Sequence, residues 1–302
     1  MFTRREFLAV STAPLARGVP GSILVHEHVL VDFGGAAHPG RYDPEEVFRV
    51  ARPKLDEIRQ LGCRRLLECT PNFLGRDPRL LVRLAEATGV ELWTNTGIYG
   101  AAKRAGVPDF AWKESADQLA RRFVEEARRG VEGVKPRFIK TGVGGAPLEE
   151  IDRKLVRAAA IASRETGLAI ASHTGPGAAA LAQHEILAAE KVSPARFVWV
   201  HAQSEKDHAI HEQVARAGAW VEFDGIGPKT ADWHQECVRF MAAKDLLNRV
   251  LISQDAGWYH VGEPGGGNYR GYAYLYTDFL PRLEPAWGRR LLIDNPIAAF
   301  GN

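Results

Sequence analysis

The sequence predicts a single α/β domain folded as a (β/α)8 TIM barrel, with its active site at the C-terminal ends of the strands. The chain has 302 residues, close to the roughly 250 residues typical of this fold. Short apolar runs alternate with longer amphipathic segments, which is the pattern of repeated strand-helix units and a parallel sheet. The runs number eight, as a closed barrel requires.

The eight apolar runs are the predicted strands, and they cover residues 22–31, 63–70, 90–97, 137–142, 168–173, 196–201, 219–225 and 249–253. The clearest helical patterns cover residues 43–62, 115–130, 148–167 and 178–191. Glycine often stands just before the next strand, as at a helix C-cap, at Gly62, Gly89, Gly130, Gly167 and Gly218. The glycine-rich stretch 261–271 follows the last strand and predicts a loop at the barrel mouth.

The first residues do not fit this pattern of strands and helices. Arg4 and Arg5 precede a weakly apolar stretch that ends in small residues near Ala16, which is the layout of a twin-arginine export signal. We therefore expect a signal or tail over residues 1–17 and one domain over residues 18–302, in a periplasmic or secreted protein. The alternative is a cytoplasmic protein whose tail happens to contain two arginines.

Composition excludes several classes of protein. With 39 Lys and Arg against 37 Asp and Glu, the net charge is +2, too small to indicate a nucleic-acid-binding surface. No apolar run approaches the roughly 20 residues that a membrane helix needs. Three cysteines at unrelated spacings predict neither a disulfide framework nor a cysteine zinc site. The expected ligand is therefore a small molecule.

Ionisable residues stand at the ends of several predicted strands, where barrel active sites are built. Any one of them alone is more often an ordinary hydrogen-bonded side chain. Four imidazoles and a carboxylate that converge on a barrel mouth instead predict a metal site with nitrogen and oxygen ligands. The set consists of His26, His28, Lys140, His173, His201 and Asp255.

Lys140 is the unusual member, because an ammonium group cannot bind a cation. A desolvated lysine near metal charge has a lowered pKa, and its free amine can add CO2 to form a carbamate. Such a group could bridge two metal ions roughly 3.5–4 Å apart, the two-metal arrangement for hydrolysis. The alternative is a buried lysine paired with a carboxylate.

In this order, H-E-H, Lys, His, His and Asp resemble the ligand set of the amidohydrolase superfamily and, more closely, of the phosphotriesterase family within it. The segments that carry the resemblance are ILVHEHVLVDF, RFIKTGVG, ASHTGPG, VWVHAQSE, VLISQDAG and IDNPIAAF. The resemblance extends over nearly the whole chain from about Ser22. FDGIG and the loop that follows strand eight look closer to the phosphotriesterase-homology branch than to the organophosphate hydrolases or the lactonases.

The resemblance implies a role for each ligand. His26, His28 and Asp255 would hold the more buried of two divalent metal ions, and His173 and His201 would hold the more exposed one. Carboxylated Lys140 and a hydroxide would bridge the two ions. The hydroxide would attack the substrate, and Asp255 would accept its proton. The expected metal is Zn²⁺, with Mn²⁺ or Co²⁺ as alternatives.

Other residues are candidates for contact with substrate. The resemblance places Tyr99 near the substrate carbonyl, where the alternative is an aromatic side chain that only packs. Trp258, Tyr259 and Arg270 lie in or beside the strand-eight loop and are predicted to wall the pocket, and Glu68 closes strand two near the mouth. The protein could form a homodimer. Three aromatic residues near the predicted mouth loops could pack across its interface: Trp93, Phe110 and Trp112.

The predicted function is therefore a binuclear metal-dependent hydrolase that acts on a lactone or carboxylic ester. The alternative is a phosphotriesterase or phosphodiesterase, because a site that stabilises an oxyanion on carbon can also serve phosphorus. A more distant alternative is a barrel that binds metal without turnover. The loops of the pocket, not the barrel, decide between substrates.

Overall fold

A computed structural model describes residues 18–302 as a closed barrel of parallel strands surrounded by helices. The third strand is interrupted at Thr94, so it pairs with β2 through its first half and with β4 through its second. Within residues 18–302 the barrel strands are β1 (Ser22–Glu27), β2 (Cys63–Glu68), β3 (Glu91–Trp93 and Asn95–Thr96), β4 (Phe138–Gly142), β5 (Ile170–His173), β6 (Phe197–Val200), β7 (Trp220–Phe223) and β8 (Val250–Ile252). The predicted barrel is confirmed.

Helices cover the outside of the barrel, and their ends follow the capping chemistry of the sequence. Ser115 and Gln118 form a reciprocal capping box at the start of one helix, and Gly89 and Gly167 close two others in the left-handed conformation. The helices are α1 (Pro44–Gln60), α2 (Pro78–Thr88), α3 (Ala116–Arg129), α4 (Glu150–Thr166), α5 (Gly177–Ala189), α6 (His208–Arg216) and α7 (Ala231–Ala243), with shorter ones at Asp109–Lys113 and Asn295–Phe300.

The barrel closes where β1 meets the end of β8. The backbone N–H of Asp255 donates to His26 O at 3.1 Å, and the N–H of His28 donates to Ala256 O at 2.8 Å. The buried carboxyl group of Glu27 strengthens this junction by accepting from Ser253 Oγ, Gln254 N and Ala256 N. Burial raises the pKa of Glu27 to about 8, although these three bonds favour the ionised form.

A change of register in β1 turns the two histidines toward the barrel mouth. Ile23 and Val25 belong to the apolar cluster inside the barrel. The pairing of β1 with β2 then shifts between Leu24 and Glu27, so that His26 and His28 line the cavity at the mouth. The predicted strand 22–31 is therefore too long, and Leu30–Val31 pairs instead with Tyr259–His260.

The interior of the barrel below the mouth is apolar. Its floor is covered by the C-terminal helix, where the Phe300 ring packs 5.9 Å from Phe138. Trp93 belongs to this interior, with the Arg65 guanidinium 3.7 Å from its ring. The expectation that Trp93 lies near a mouth loop is wrong, because β3 directs its side chain into the barrel. Trp112 is half exposed.

In the part of the chain from residue 18 onward, no helix has the length and apolar character that crossing a membrane requires. The predicted export signal over residues 1–17 lies outside the described residues and stays a prediction.

Glu27→Ala should lower the free energy of unfolding by about 3 kcal/mol or more, because it leaves three buried donors at the barrel junction without an acceptor, each worth about 1–3 kcal/mol. Urea denaturation followed by circular dichroism measures the change. Glu86→Ala on the exposed face of α2 is the control and should change it by less than about 0.5 kcal/mol. Equal stability of the two variants would contradict the role given to Glu27.

Candidate metal centre

The six predicted ligand residues line one cavity of about 210 Å³ at the C-terminal ends of the strands. Lys140 Nζ lies 3.3 Å from His26 Nε2, His28 Nε2 lies 3.1 Å from Asp255 Oδ1, and His201 Nε2 lies 2.8 Å from His173 Nδ1. The structure therefore brings all six side chains together. Their function as metal ligands stays a prediction.

His26 is held from behind by two carboxyl groups of β7 and the turn that follows it. Its Nδ1 lies 2.7 Å from Glu222 Oε1 and 3.2 Å from Asp224 Oδ2, so the proton of the neutral ring belongs on Nδ1. Burial and the Lys140 charge lower the pKa of His26 to about 4. The lone pair of the neutral ring is thus on Nε2, the atom that faces Lys140 and Asp255.

His28 is oriented by Thr70. The Thr70 hydroxyl donates to Leu30 O at 2.8 Å, so it accepts from His28 Nδ1, also at 2.8 Å. Burial lowers the pKa of His28, which leaves a lone pair on Nε2. That lone pair faces Asp255 Oδ1 at 3.1 Å, a buried oxygen without a hydrogen-bond partner. The Nε2 lone pair and the carboxylate oxygen repel each other at this distance. A cation bound to both atoms would remove that repulsion.

His201 is held by Asp224, which accepts from both its backbone N–H and its Nδ1. Gln203 also donates to the same carboxylate at 2.9 Å. Burial opposes ionisation of Asp224, but His201 and His26 outweigh it and hold the pKa of Asp224 well below its usual range. Burial, and then the Asp224 charge, raise the pKa of the neighbouring Glu222.

His173 and Tyr99 form the opposite side of the cavity. The Tyr99 hydroxyl lies 3.0 Å from His173 Nδ1, and the two rings meet edge to face. Burial, followed by the His201 charge, lowers the pKa of His173 well below its usual value. Lys140 is 2% exposed, and none of the carboxylates within residues 18–302 lies within 4 Å of its Nζ. The alternative of a lysine paired with a carboxylate therefore does not hold.

These donors fit divalent metal ions. His26, His28 and Asp255 each offer a ligand atom, and the three atoms lie within 4.8 Å of one another. The Nδ1 atoms of His26, His28 and His201 are occupied by side chains behind them, so their Nε2 atoms remain for a metal. Imidazole nitrogen and carboxylate oxygen are ligands that Zn²⁺ accepts.

The rest of the cavity wall is apolar. Trp258 packs 4.1 Å from the His28 ring and stacks on Phe33 at 5.8 Å. Phe33 is 52% exposed at the rim. The other apolar lining side chains are Val31, Cys69, Pro71 and Leu74. Among the described residues, Lys140 is the one Lys or Arg on this wall.

Three predicted substrate contacts do not line the cavity. Tyr259 is buried, and burial, followed by the charge of Glu46 on α1, raises the pKa of its hydroxyl. The Arg270 guanidinium donates to the carbonyl oxygen of Asp255 instead of facing substrate. Glu68 accepts from Val29 N at 3.1 Å, because the alternation of β2 turns Leu67 and Cys69 inward and Glu68 outward.

Three cavity-lining residues other than glycine adopt left-handed backbone conformations. These are His201 (φ 62°), Asp255 (φ 49°) and Trp258 (φ 76°). Arg270 and the Trp258 indole N–H both donate to the Asp255 carbonyl. The turn that carries Asp255 is thus held by neighbouring side chains against its own conformational preference.

Sequence reasoning missed Glu27 and Glu222, and it left Asp224 open between orienting a ligand and capping a turn. The signal was present. Glu222 and Asp224 alternate with apolar residues in AWVEFDG, so both face the same side of a strand whose other residues are buried. A carboxyl group inside an otherwise apolar run needs a buried partner.

Comparisons with known proteins identify a family for the chain and structures that share its fold. A family model described as the phosphotriesterase family matches residues 9–298. The phosphotriesterase homology protein of Escherichia coli is 26% identical over 87% of this chain and 90% of its own. An aryldialkylphosphatase of Saccharolobus solfataricus is 26% identical over 92% and 87%. A crystal structure of a lactonase from Listeria monocytogenes superposes with a TM-score of 0.80 at 21% identity, covering 94% of this chain and 95% of that one.

Asp224→Ala should destabilise the metal-free protein by about 3–5 kcal/mol, because it leaves the donors of His201 and Gln203 buried without their acceptor. Urea denaturation in the presence of a chelator measures this. Glu185→Ala on the exposed surface of α5 is the control and should stay within about 0.5 kcal/mol of wild type. An Asp224→Ala variant as stable as the control would contradict the orienting role.

Proposed function

The chain belongs to the phosphotriesterase family, and from that premise we propose that it hydrolyses a lactone or a small carboxylic ester with the aid of two divalent metal ions. It is a metal-dependent hydrolase that acts on ester bonds. The observation that carries the finer proposal is a small cavity in which four histidines, an aspartate and a lysine meet apolar walls.

We propose Zn²⁺ as the metal, with Mn²⁺ and Co²⁺ as alternatives. His26, His28 and Asp255 would hold one ion and His173 and His201 the other, with Lys140 carboxylated between them. Bound there, the ions would polarise the substrate oxygen and make water a stronger nucleophile. Among residues 18–302 no carboxylate lies within 4 Å of Lys140 Nζ, whose polar neighbour is His26 Nε2 at 3.3 Å. This arrangement supports carboxylation of Lys140 over a direct ion pair.

Asp255 and Tyr99 supply the proton transfer and the orientation in this proposal. Burial opposes ionisation of Asp255, but His28 and His26 outweigh it and hold its pKa below the usual range. Asp255 is therefore ionised at neutral pH and can accept the proton of the attacking water. The Tyr99 hydroxyl, on the cavity wall beside His173, can donate to the substrate carbonyl oxygen.

The cavity favours a compact, uncharged substrate. Its volume of about 210 Å³ is below the roughly 300–1,000 Å³ of sites for drug-sized ligands. Phe33, Leu74 and Trp258 offer apolar surface to an alkyl chain or ring. A planar lactone needs room on one side of its carbonyl carbon, whereas a phosphotriester must place three substituents around phosphorus.

The second candidate is a phosphotriesterase. It is favoured by the 26% identity to the aryldialkylphosphatase, which covers 92% of this chain. A phosphodiesterase is less favoured, because its substrate is anionic and the described wall offers no arginine. A barrel that binds metal without turnover is disfavoured because all six predicted ligand residues are present and converge.

Two further proposals rest on the sequence. Residues 1–17 would direct export through their twin-arginine pattern, which fractionation of cells that express the full chain can test against a cytoplasmic location. Phe110 and half-exposed Trp112 would contribute to a homodimer, which light scattering of the Trp112→Ala variant can test.

A paired kinetic screen tests the function. Metal-reconstituted protein prepared with bicarbonate should hydrolyse γ- or δ-lactones with kcat/KM about 100-fold or more above that for an activated phosphotriester, a difference of about 2.7 kcal/mol in transition-state stabilisation. Lys140→Ala should lower the lactone value by at least about 100-fold, because the ions lose their bridge. A higher value for the phosphotriester would make the second candidate the primary activity.

Tyr99→Phe should lower kcat/KM for lactones by about 100-fold or more, the effect of losing one hydrogen bond to the developing oxyanion. The metal content, measured by atomic emission, should remain that of wild type. Tyr274→Phe, which removes a hydroxyl outside the cavity wall, is the matched control. Lactone kinetics unchanged in Tyr99→Phe would remove Tyr99 from the reaction.

A further inference from the structure

We propose that Glu222 is a positioning residue that fixes the Nδ1–H tautomer of His26 and thereby raises the affinity of one of the two metal positions. The inference rests on the proposed metal-dependent function. It assigns a role to a carboxyl group that lies behind the ligands and touches neither the cavity nor the substrate.

The contacts of His26 single out Glu222. Glu222 Oε1 is the nearest acceptor to His26 Nδ1, at 2.7 Å, whereas Asp224 Oδ2 lies 3.2 Å away. Asp224 is already committed to the backbone and side chain of His201 and to Gln203. The Glu222 side chain bonds to no backbone group and not to Gln203, and its Oε2 is buried without a hydrogen-bond partner. Its other close neighbour is the Asp224 carboxylate, which, after burial, raises the pKa of Glu222. The main hydrogen bond of the Glu222 side chain is thus the one to His26.

The surroundings of Glu222 give no structural reason for a carboxyl group. The residue is fully buried, and the preceding inward residue of β7, Trp220, belongs to the apolar interior of the barrel. An apolar side chain would fill this position without the cost of desolvating an acid. The hydrogen bond from His26 Nδ1 to Glu222 Oε1 offsets part of the free-energy cost of burying the acid.

The hydrogen bond has a direct consequence for metal binding. With its proton held on Nδ1, His26 presents the Nε2 lone pair toward Lys140 and Asp255 without a tautomer change on metal uptake. Acceptors behind a metal-binding histidine also make the imidazole a stronger ligand, and their loss costs about 10–100-fold in metal affinity. Thr70 and Asp224 serve His28 and His201 in the same way, so the effect of Glu222 should fall on the ion that His26 binds.

Two substitutions of Glu222 separate the loss of the acceptor oxygen from the loss of the carboxyl group. Glu222→Leu removes the nearer acceptor of His26 Nδ1 and leaves Asp224 Oδ2 at 3.2 Å, which is already shared with His201. One of the two Co²⁺ ions should then bind about 10–100-fold more weakly in chelator competition, followed by the Co²⁺ absorption bands. Glu222→Gln keeps an acceptor oxygen for His26 Nδ1–H and should stay within about threefold of wild type. Glu185→Gln on exposed α5 is the control.

Stability of the metal-free variants distinguishes positioning from folding. Glu222→Leu should unfold at the same urea concentration as wild type or a higher one, because an apolar residue replaces a buried acid. If Glu222→Leu does not fold, nitrogen-15 NMR of the metal-free wild type still tests the proposal, since it should show His26 protonated on Nδ1 and bare on Nε2.

Several results would overturn the proposal: wild-type affinity for both ions in Glu222→Leu, equal loss in Glu222→Leu and Glu222→Gln, or the opposite His26 tautomer. Failure of the proposed function has a different signature. A wild-type protein that binds two Co²⁺ ions but hydrolyses none of the lactones or phosphotriesters would refute that function, while the affinities of the Glu222 variants would still decide the positioning role.

Discussion

The junction between β1 and the end of β8 is the constraint on which the site depends. Glu27 joins the two by accepting from Ser253, Gln254 and Ala256. His26 and His28 flank Glu27 in the chain, and Asp255 lies between two of its donors. One buried carboxyl group therefore helps to close the barrel, and it also fixes Asp255 relative to His26 and His28, which lie more than 220 residues earlier in the sequence. The contacts that close the barrel thus also set the positions of these three side chains.

The centre is built in two layers with different chemistry. The inner layer is the set of imidazoles, lysine and carboxylate at the cavity. The outer layer gives each of three histidines its own acceptor: Glu222 behind His26, Thr70 behind His28 and Asp224 behind His201. These acceptors come from β7 and from the ends of β2 and β7. Other parts of the barrel therefore orient the predicted ligands in and after β1 and after β6. The geometry is therefore a property of the whole barrel mouth.

The sequence predicted the barrel and the inner layer because both depend on periodicity and position. Apolar runs mark the strands, and ionisable residues at their ends mark the mouth. The pocket contacts were harder to predict. Arg270 and Tyr259 are close to Asp255 in sequence, but the turn of the strand-eight loop directs one to a carbonyl oxygen and the other to α1. The shift of register in β1 was equally hidden, since it depends on how β1 pairs with β2.

The left-handed backbone at His201, Asp255 and Trp258 has a consequence for protein engineering. Each of these residues is held in a conformation that costs about 1–2 kcal/mol and that glycine or asparagine would adopt more easily. Selection for heat resistance alone would favour such replacements and would remove two of the groups proposed to bind metal and the aromatic wall beside them. Libraries aimed at thermostability should therefore keep these three codons constant and seek their gains on the outer helices.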